Sequence, residues 1–152
     1  MHFSITLIPP TSAVRYYNPN DGENLMWSPK LGQNARDQWG KLDDDDMFHL
    51  EHLGLVADLI PAIHMNYQDS ALEAVLHYDY PTVSMDLDFL KDPAGREEWL
   101  LMRTKMYKLQ NGRFDMHVQI IDDDGDLVAT AKQTCLVLKR SGLGDIGMRS
   151  RM

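Results

Sequence analysis

Cysteine is almost absent: Cys135 is the only one in 152 residues. A single thiol rules out an internal disulfide and fits a reducing compartment. Long apolar runs are missing too, and none approaches the ~20 residues of a membrane-spanning helix. The opening MHFSITLIPP lacks a basic flank and a small-residue cleavage site, so no signal peptide and no membrane partner are expected. Positive charge is in deficit, with 15 Lys and Arg against 23 Asp and Glu and a formal net charge of −8. A field of that sign repels phosphate backbones, so no nucleic-acid partner is expected. It also gives no general attraction for an anionic small molecule. Any phosphate grip must be local, and the sequence does not show where it lies. No internal repeat is present.

What is there reads as one globular domain, 43% hydrophobic and 25% charged. Residues 1–35, rich in Pro, Asn and Gly, are expected to be irregular apart from a short strand near Val14–Tyr17. Residues 36–140 form the folded unit, and 141–152 a flexible tail. Arg36–Leu42 reads as a strand. The acidic LDDDD that follows offers helix N-caps. Leu55, Leu59, Ala62 and Ile63 then recur at helical spacing, predicting a helix over 47–68 that Pro61 kinks. From Thr82 the period becomes two. Val83, Met85, Leu87 and Phe89 share one face, with Ser84, Asp86 and Asp88 on the other. Further strands are expected at Trp99–Leu109, Arg113–Ile121 and Asp126–Leu138, with tight turns at Asn111-Gly112 and in the DDDG of 122–125. One long helix and an antiparallel sheet that covers it make an α+β domain.

Several motifs fail on context. GLGDIG at 142–147 matches a dinucleotide loop, but only five residues follow it, too few for the helix and strand that loop needs. The DDDGD run misses the register of a calcium loop. His49 and His52 lack a third ligand at metal spacing, so no metal is expected. There is no G-x-S-x-G elbow. Cys135, mid-strand among apolar residues, reads as a small buried hydrophobe.

Two polar residues resist that plain reading. Asp58 shares a helix face with Leu55, Leu59 and Ala62. Gln133 lies on the strand face of Leu127, Ala129, Ala131, Cys135 and Val137. A buried polar group without a partner costs roughly 1–3 kcal/mol, and a charge costs more. Either each is satisfied locally, Asp58 at a helix edge and Gln133 on backbone, or the two hold a water, with the Ser84 hydroxyl on a neighbouring strand.

The ordered segments LGLVADLIPAI, SMDLDFLKDP, EEWLL and DGDLVATAKQTCLVL favour the second reading. Together, over residues ~45–140, they resemble the C-terminal hot-dog repeat of TesB-like acyl-CoA thioesterases. The resemblance implies a single hot-dog fold, a sheet wrapped around one long helix, and places the family's catalytic Asp, Thr and Gln on Asp58, Ser84 and Gln133. Ser84 replaces the usual Thr and keeps its hydroxyl. The implied chemistry is hydrolysis of an acyl-CoA or other acyl thioester. Asp58 acts on a water held by Ser84 and Gln133, and backbone N–H groups of Gly54 and Leu55 polarise the carbonyl. No cofactor is needed. The family carries two repeats in one chain, and residues 1–35 do not match the second, so a homodimer forming a double hot-dog is expected. Two rivals share the scaffold: an isomerase, lyase or cyclase acting on a polyketide or acyl intermediate, and a non-catalytic pseudo-enzyme subunit. The final Ser150-Arg151-Met152 resembles a C-terminal peroxisomal address, the expected location in a eukaryote; the cytoplasm is expected otherwise.

Overall fold

Period-two burial dominates the computed structural model, which describes residues 3–6, 14–19, 31–43, 46–59, 63–67 and 77–140. The strands are β1 (Phe3–Thr6), β2 (Val14–Pro19), β3 (Ala35–Leu42), β4 (Tyr78–Asp79), β5 (Thr82–Phe89), β6 (Leu100–Lys105), β7 (Leu109–Gln110), β8 (Arg113–Ile121), β9 (Leu127–Leu136) and β10 (Leu138–Lys139). Helix α1 (Leu50–Leu59) and a 3-10 turn at Ile63–Tyr67 fall between β3 and β4. The main sheet runs β1-β2-β3-β6-β8-β9-β5, with β7 paired to β8, and every pairing is antiparallel. β10 and β4 form a separate two-stranded ribbon.

One face of the sheet closes over the helix. Leu53, Val56 and Ala57 of α1 are buried with Met102, Met116, Val118 and Ala131 of the strands. Each fully buried aliphatic chain of this kind contributes about 1.5–3 kcal/mol. The helix is thus shorter than the expected 47–68, and its inward stripe leaves out the expected Leu55 and Asp58. Leu53, Val56 and Ala57 stand at i, i+3 and i+4, while Leu55 is 41% exposed. Pro61, Gly142–Gly147 and Ser150–Met152 lie outside the described residues.

The acidic run does not supply the N-cap. His49 occupies the cap position, and its amide donates to Nδ1 of His52 at 3.0 Å, the backward half of a capping box. The Asp46 carboxylate accepts instead from the Met47 amide at 2.8 Å. This is a structural use for the His-x-x-His spacing. Among the described residues no group of three or more His, Cys, Asp or Glu is placed to hold a metal.

The N-terminal segment carries more order than its composition suggests. β1 and β2 extend the main sheet, so it begins well before residue 35. The short strand expected near Val14–Tyr17 is β2; what the Pro and Asn counts hide is β1 and the pairing of both strands into the main sheet. The strand expected over Trp99–Leu109 breaks at Met106–Lys108. There the Asp115 carboxylate takes the Tyr107 and Lys108 amides at 3.2 and 2.7 Å, in place of ladder partners. Asn111 and Gly112, with φ of 52° and 67°, close the β7–β8 hairpin as a turn with two positive φ angles requires. In the DDDG turn, Lys91 Nζ clamps Asp122 and Asp126 at 2.5 and 2.8 Å.

Candidate active site

Helix α1 ends beside the middle of β9, and this junction gathers the polar groups of interest. The last four carbonyls of any α-helix lack helical partners. That of Ala57 is satisfied by Gln133, whose Nε2 donates to it at 2.6 Å in a buried setting. Gln133 is thereby a C-terminal brace for the helix, and it fixes the turn that carries Asp58. Its Oε1 faces the Cys135 Sγ at 3.8 Å. Truncating Gln133 to alanine leaves the Ala57 carbonyl unpaired in the core. The Gln133→Ala chain should lose roughly 1–3 kcal/mol of stability. Urea unfolding checks this, and an unchanged midpoint would mean that the brace carries no weight.

Asp58 is exposed rather than buried. Its Oδ1 accepts from the Thr82 hydroxyl at 3.3 Å, and that hydroxyl also lies 3.9 Å from Cys135 Sγ. The Cys135 thiol is pushed above its ordinary pKa by burial, with the Asp58 charge adding to this and the Thr82 hydrogen bond opposing it. A thiol held protonated is a poor nucleophile, which agrees with its reading as a small buried hydrophobe. Tyr16, on β2, is 1% exposed. Its hydroxyl is buried with no hydrogen-bond partner among the described residues. Burial and, after it, the nearby Asp58 charge raise its pKa.

Ser84 does not join this group. A bulge between Thr82 and Ser84 sets Thr82 opposite Cys135 and Ser84 opposite Thr134. Directly opposed residues share a face, and neighbours along a strand take opposite faces. Cys135 and Gln133 point at the helix, so Thr134 and Ser84 point away from it. Thr82 is the hydroxyl that reaches Asp58. The signal for this is the bulge, which one sequence read by period alone does not reveal. Tyr16 lies on the short strand expected near Val14–Tyr17, but nothing in the sequence linked that strand to the helix end.

Gly54 and Leu55 do not serve as free amide donors. They are the fifth and sixth residues of α1, past the first turn, where N–H groups bond back to the carbonyl four residues earlier. A Cβ at Gly54 would meet Leu87 Cδ2 at 3.8 Å, an ordinary contact, so the helix lies against β5 here without requiring glycine. The unbonded amides lie at the other end of α1, about 12 Å from Asp58 at 1.5 Å per residue. They are too far to serve the same carbonyl.

A sheet of this order enclosing one helix, with a carboxylate at the helix end braced from the sheet, defines a class, and comparison with known proteins gives the same class. The sequence profile of the acyl-CoA thioesterase C-terminal domain matches residues 8–137. The chain belongs to that family, and its fold is the hot-dog. It is similar to a thioesterase-like protein, TwmA, of Talaromyces wortmannii, 32% identical over 60 residues, which are 39% of this chain and 17% of that one. Among solved structures it is similar to a hot-dog protein of unknown function from Alicyclobacillus acidocaldarius, with a TM-score of 0.64 at 18% identity, covering 90% of this chain and 51% of that one. The acyl-CoA thioesterase II TesB2 of Mycobacterium marinum gives a TM-score of 0.61 at 21% identity, covering 93% and 59%. The chain therefore spans between a sixth and three-fifths of these relatives' lengths.

Proposed function

We propose that the chain hydrolyses acyl thioesters, acyl-CoA first among them, at the Asp58 end of α1. The observation that carries this is the solvent-open Asp58 carboxylate, hydrogen-bonded to the Thr82 hydroxyl at the end of the helix that Gln133 braces. Asp58 takes a proton from a water as the water oxygen bonds to the thioester carbonyl carbon. The Thr82 hydroxyl orients that water. The C–S bond then breaks, and Asp58 returns its proton to the leaving sulfur. Gln133 acts through the helix turn it braces, and Ser84 is given no contact with the water.

This reading also needs a second copy of the chain. Among the described residues strand β5 has one neighbour, β9, and its other edge is open. Val83 and Phe89 on it and Leu90 just beyond it are 61%, 51% and 58% exposed, and Leu55 of α1 is 41% exposed. An open apolar edge invites pairing with another strand. Two copies joined along β5 form a continuous sheet with two-fold symmetry and screen Asp58 from bulk water.

Thiol release from a series of acyl-CoAs tests the reaction. Release is expected from wild type, reduced about tenfold or more in Thr82→Val, the usual scale for losing a positioned polar group, and little changed in Ser84→Ala. Absence of release from every acyl-CoA would overturn hydrolysis. A rearranged product without free thiol would point to an isomerase, lyase or cyclase on the same scaffold. Equal losses in the two variants would return Ser84 to the site.

A further inference from the structure

The outer face of the sheet, turned away from α1, carries a cavity of about 670 Å³ that the proposed hydrolysis does not use. We propose that this cavity binds a phosphorylated nucleotide, with its phosphates between the Lys105 and Lys132 ammonium groups beside His117 and its base against the Tyr107 ring.

Charge is the first reason. The chain as a whole is strongly acidic at −8, yet the lining holds three permanent cations, Arg103, Lys105 and Lys132, and one carboxylate, Asp37. Arg103 and Asp37 satisfy each other through two parallel hydrogen bonds of 2.9 and 2.8 Å. That leaves Lys105 and Lys132 uncompensated. Among the described residues neither has a carboxylate within ion-pair distance. The phosphate grip missing from the sequence's net charge is present here as a local patch.

Register is the second reason. Lys105 lies opposite His117, and His117 opposite Lys132, so the three form one row across β6, β8 and β9. Two strand spacings separate the lysines, roughly 10 Å at the backbone. Arms of that length converge readily on one phosphate group or bridge two. Asp86 ends the row beyond Lys132 and is the nearest acidic competitor along it.

The third reason is a preset aromatic rim. Tyr107 is 60% exposed. The Lys105 ammonium sits 4.8 Å from its ring centroid, and the His117 ring meets it edge-on at 4.8 Å. Asp115, which also lies 3.6 Å from His117, pins the Tyr107 backbone by accepting its amide. Ring and cations are thus held together before any ligand arrives, which lowers the ordering cost of binding. A cavity of this size accommodates a mononucleotide.

A nucleoside phosphate can come from two sources, the nucleotide end of coenzyme A or a free adenine nucleotide. Calorimetric titration of the full chain with adenosine 3′,5′-bisphosphate, ADP, coenzyme A and inorganic phosphate distinguishes them. None of these is a thioester, so the result stands apart from hydrolysis, and Asp58→Asn should bind each as wild type does. Nucleotide binding is expected, weakened by added salt and by about 10–100-fold in Lys105→Ala/Lys132→Ala, the loss of two charge-assisted contacts. Tyr107→Ala should weaken the nucleotides and spare inorganic phosphate. Both lysines are exposed, so the variant keeps the fold, which circular dichroism verifies. Competition between coenzyme A and the bisphosphate assigns the site to the coenzyme's nucleotide end. Binding of ADP without coenzyme A assigns it to free nucleotide. Undiminished nucleotide binding in the double lysine variant, or no binding of any probe at millimolar concentration, overturns the proposal.

Discussion

Replacing Asp58 with asparagine should lower kcat for thioester hydrolysis by about 10²–10⁴, the usual range for losing a positioned acid or base. The amide is isosteric and can still accept from the Thr82 hydroxyl, so hydrogen bond and fold both survive. The proton-accepting oxygen is what disappears. KM should change little, because the carboxylate meets the water rather than the acyl group. Asp58 is exposed in the single chain, so unfolding stability should move by less than about 0.5 kcal/mol, as for other surface substitutions. Steady-state thiol release, together with a urea titration of the same preparation, checks both halves. A folded Asp58→Asn chain with undiminished kcat removes this residue from the reaction.

Charges placed on the β5 edge should convert a dimer into monomers and abolish turnover together. Lysine at Val83 and Phe89 puts two ammonium groups on an edge that a partner strand would have to cover. Burying unpaired charge costs several kcal/mol each, enough to shift association by several orders of magnitude. Both side chains are exposed in the single chain, so the fold itself tolerates the change. Light scattering should report about twice the chain mass for wild type and a single chain mass for the double lysine variant, whose hydrolysis falls to background. A monomeric wild type that hydrolyses acyl-CoA at full rate would sink the shared-site reading. A dimeric variant would place the interface elsewhere.

Strands β6, β8 and β9 were legible because each has one wet and one dry face. Arg113–Ile121 is delimited by its alternation and by the Asn111-Gly112 turn, and the structure keeps both ends. The helix was less legible. Its inward stripe depends on where the sheet meets it, and Leu55 and Leu53 are equally apolar candidates until that contact exists. β3 shows the limit of hydropathy most clearly. Arg36 is fully buried, its guanidinium driven down to about 9 by desolvation, and Gln38 is buried with its Nε2 donating to Asn18 at 2.8 Å. Trp39, on the opposite face, is only partly covered. An apolarity count would have turned that strand over. At the site, Asp58 and Gln133 stood out as polar intrusions in apolar patterns, and the structure brings both to the helix end. Thr82 and Tyr16 gave no such signal. One owes its place to a backbone irregularity, and the other sits on an expected strand whose place in the sheet only the pairing with β3 reveals.

The irregularity beside Thr82 gives the site a switch of one residue. With Ser84 opposite Thr134, regular pairing would set position 83 against Cys135. That position holds valine, and a methyl-bearing side chain would then lie where the hydroxyl now meets Asp58. The strand beyond Ser84 would be unaffected, since Leu87 and its neighbours keep their partners either way. Gain or loss of a single residue at this point would therefore make the surroundings of Asp58 polar or apolar while the core behind it stays as it is. Relatives of this chain can differ in chemistry at that carboxylate without differing in the architecture that carries it.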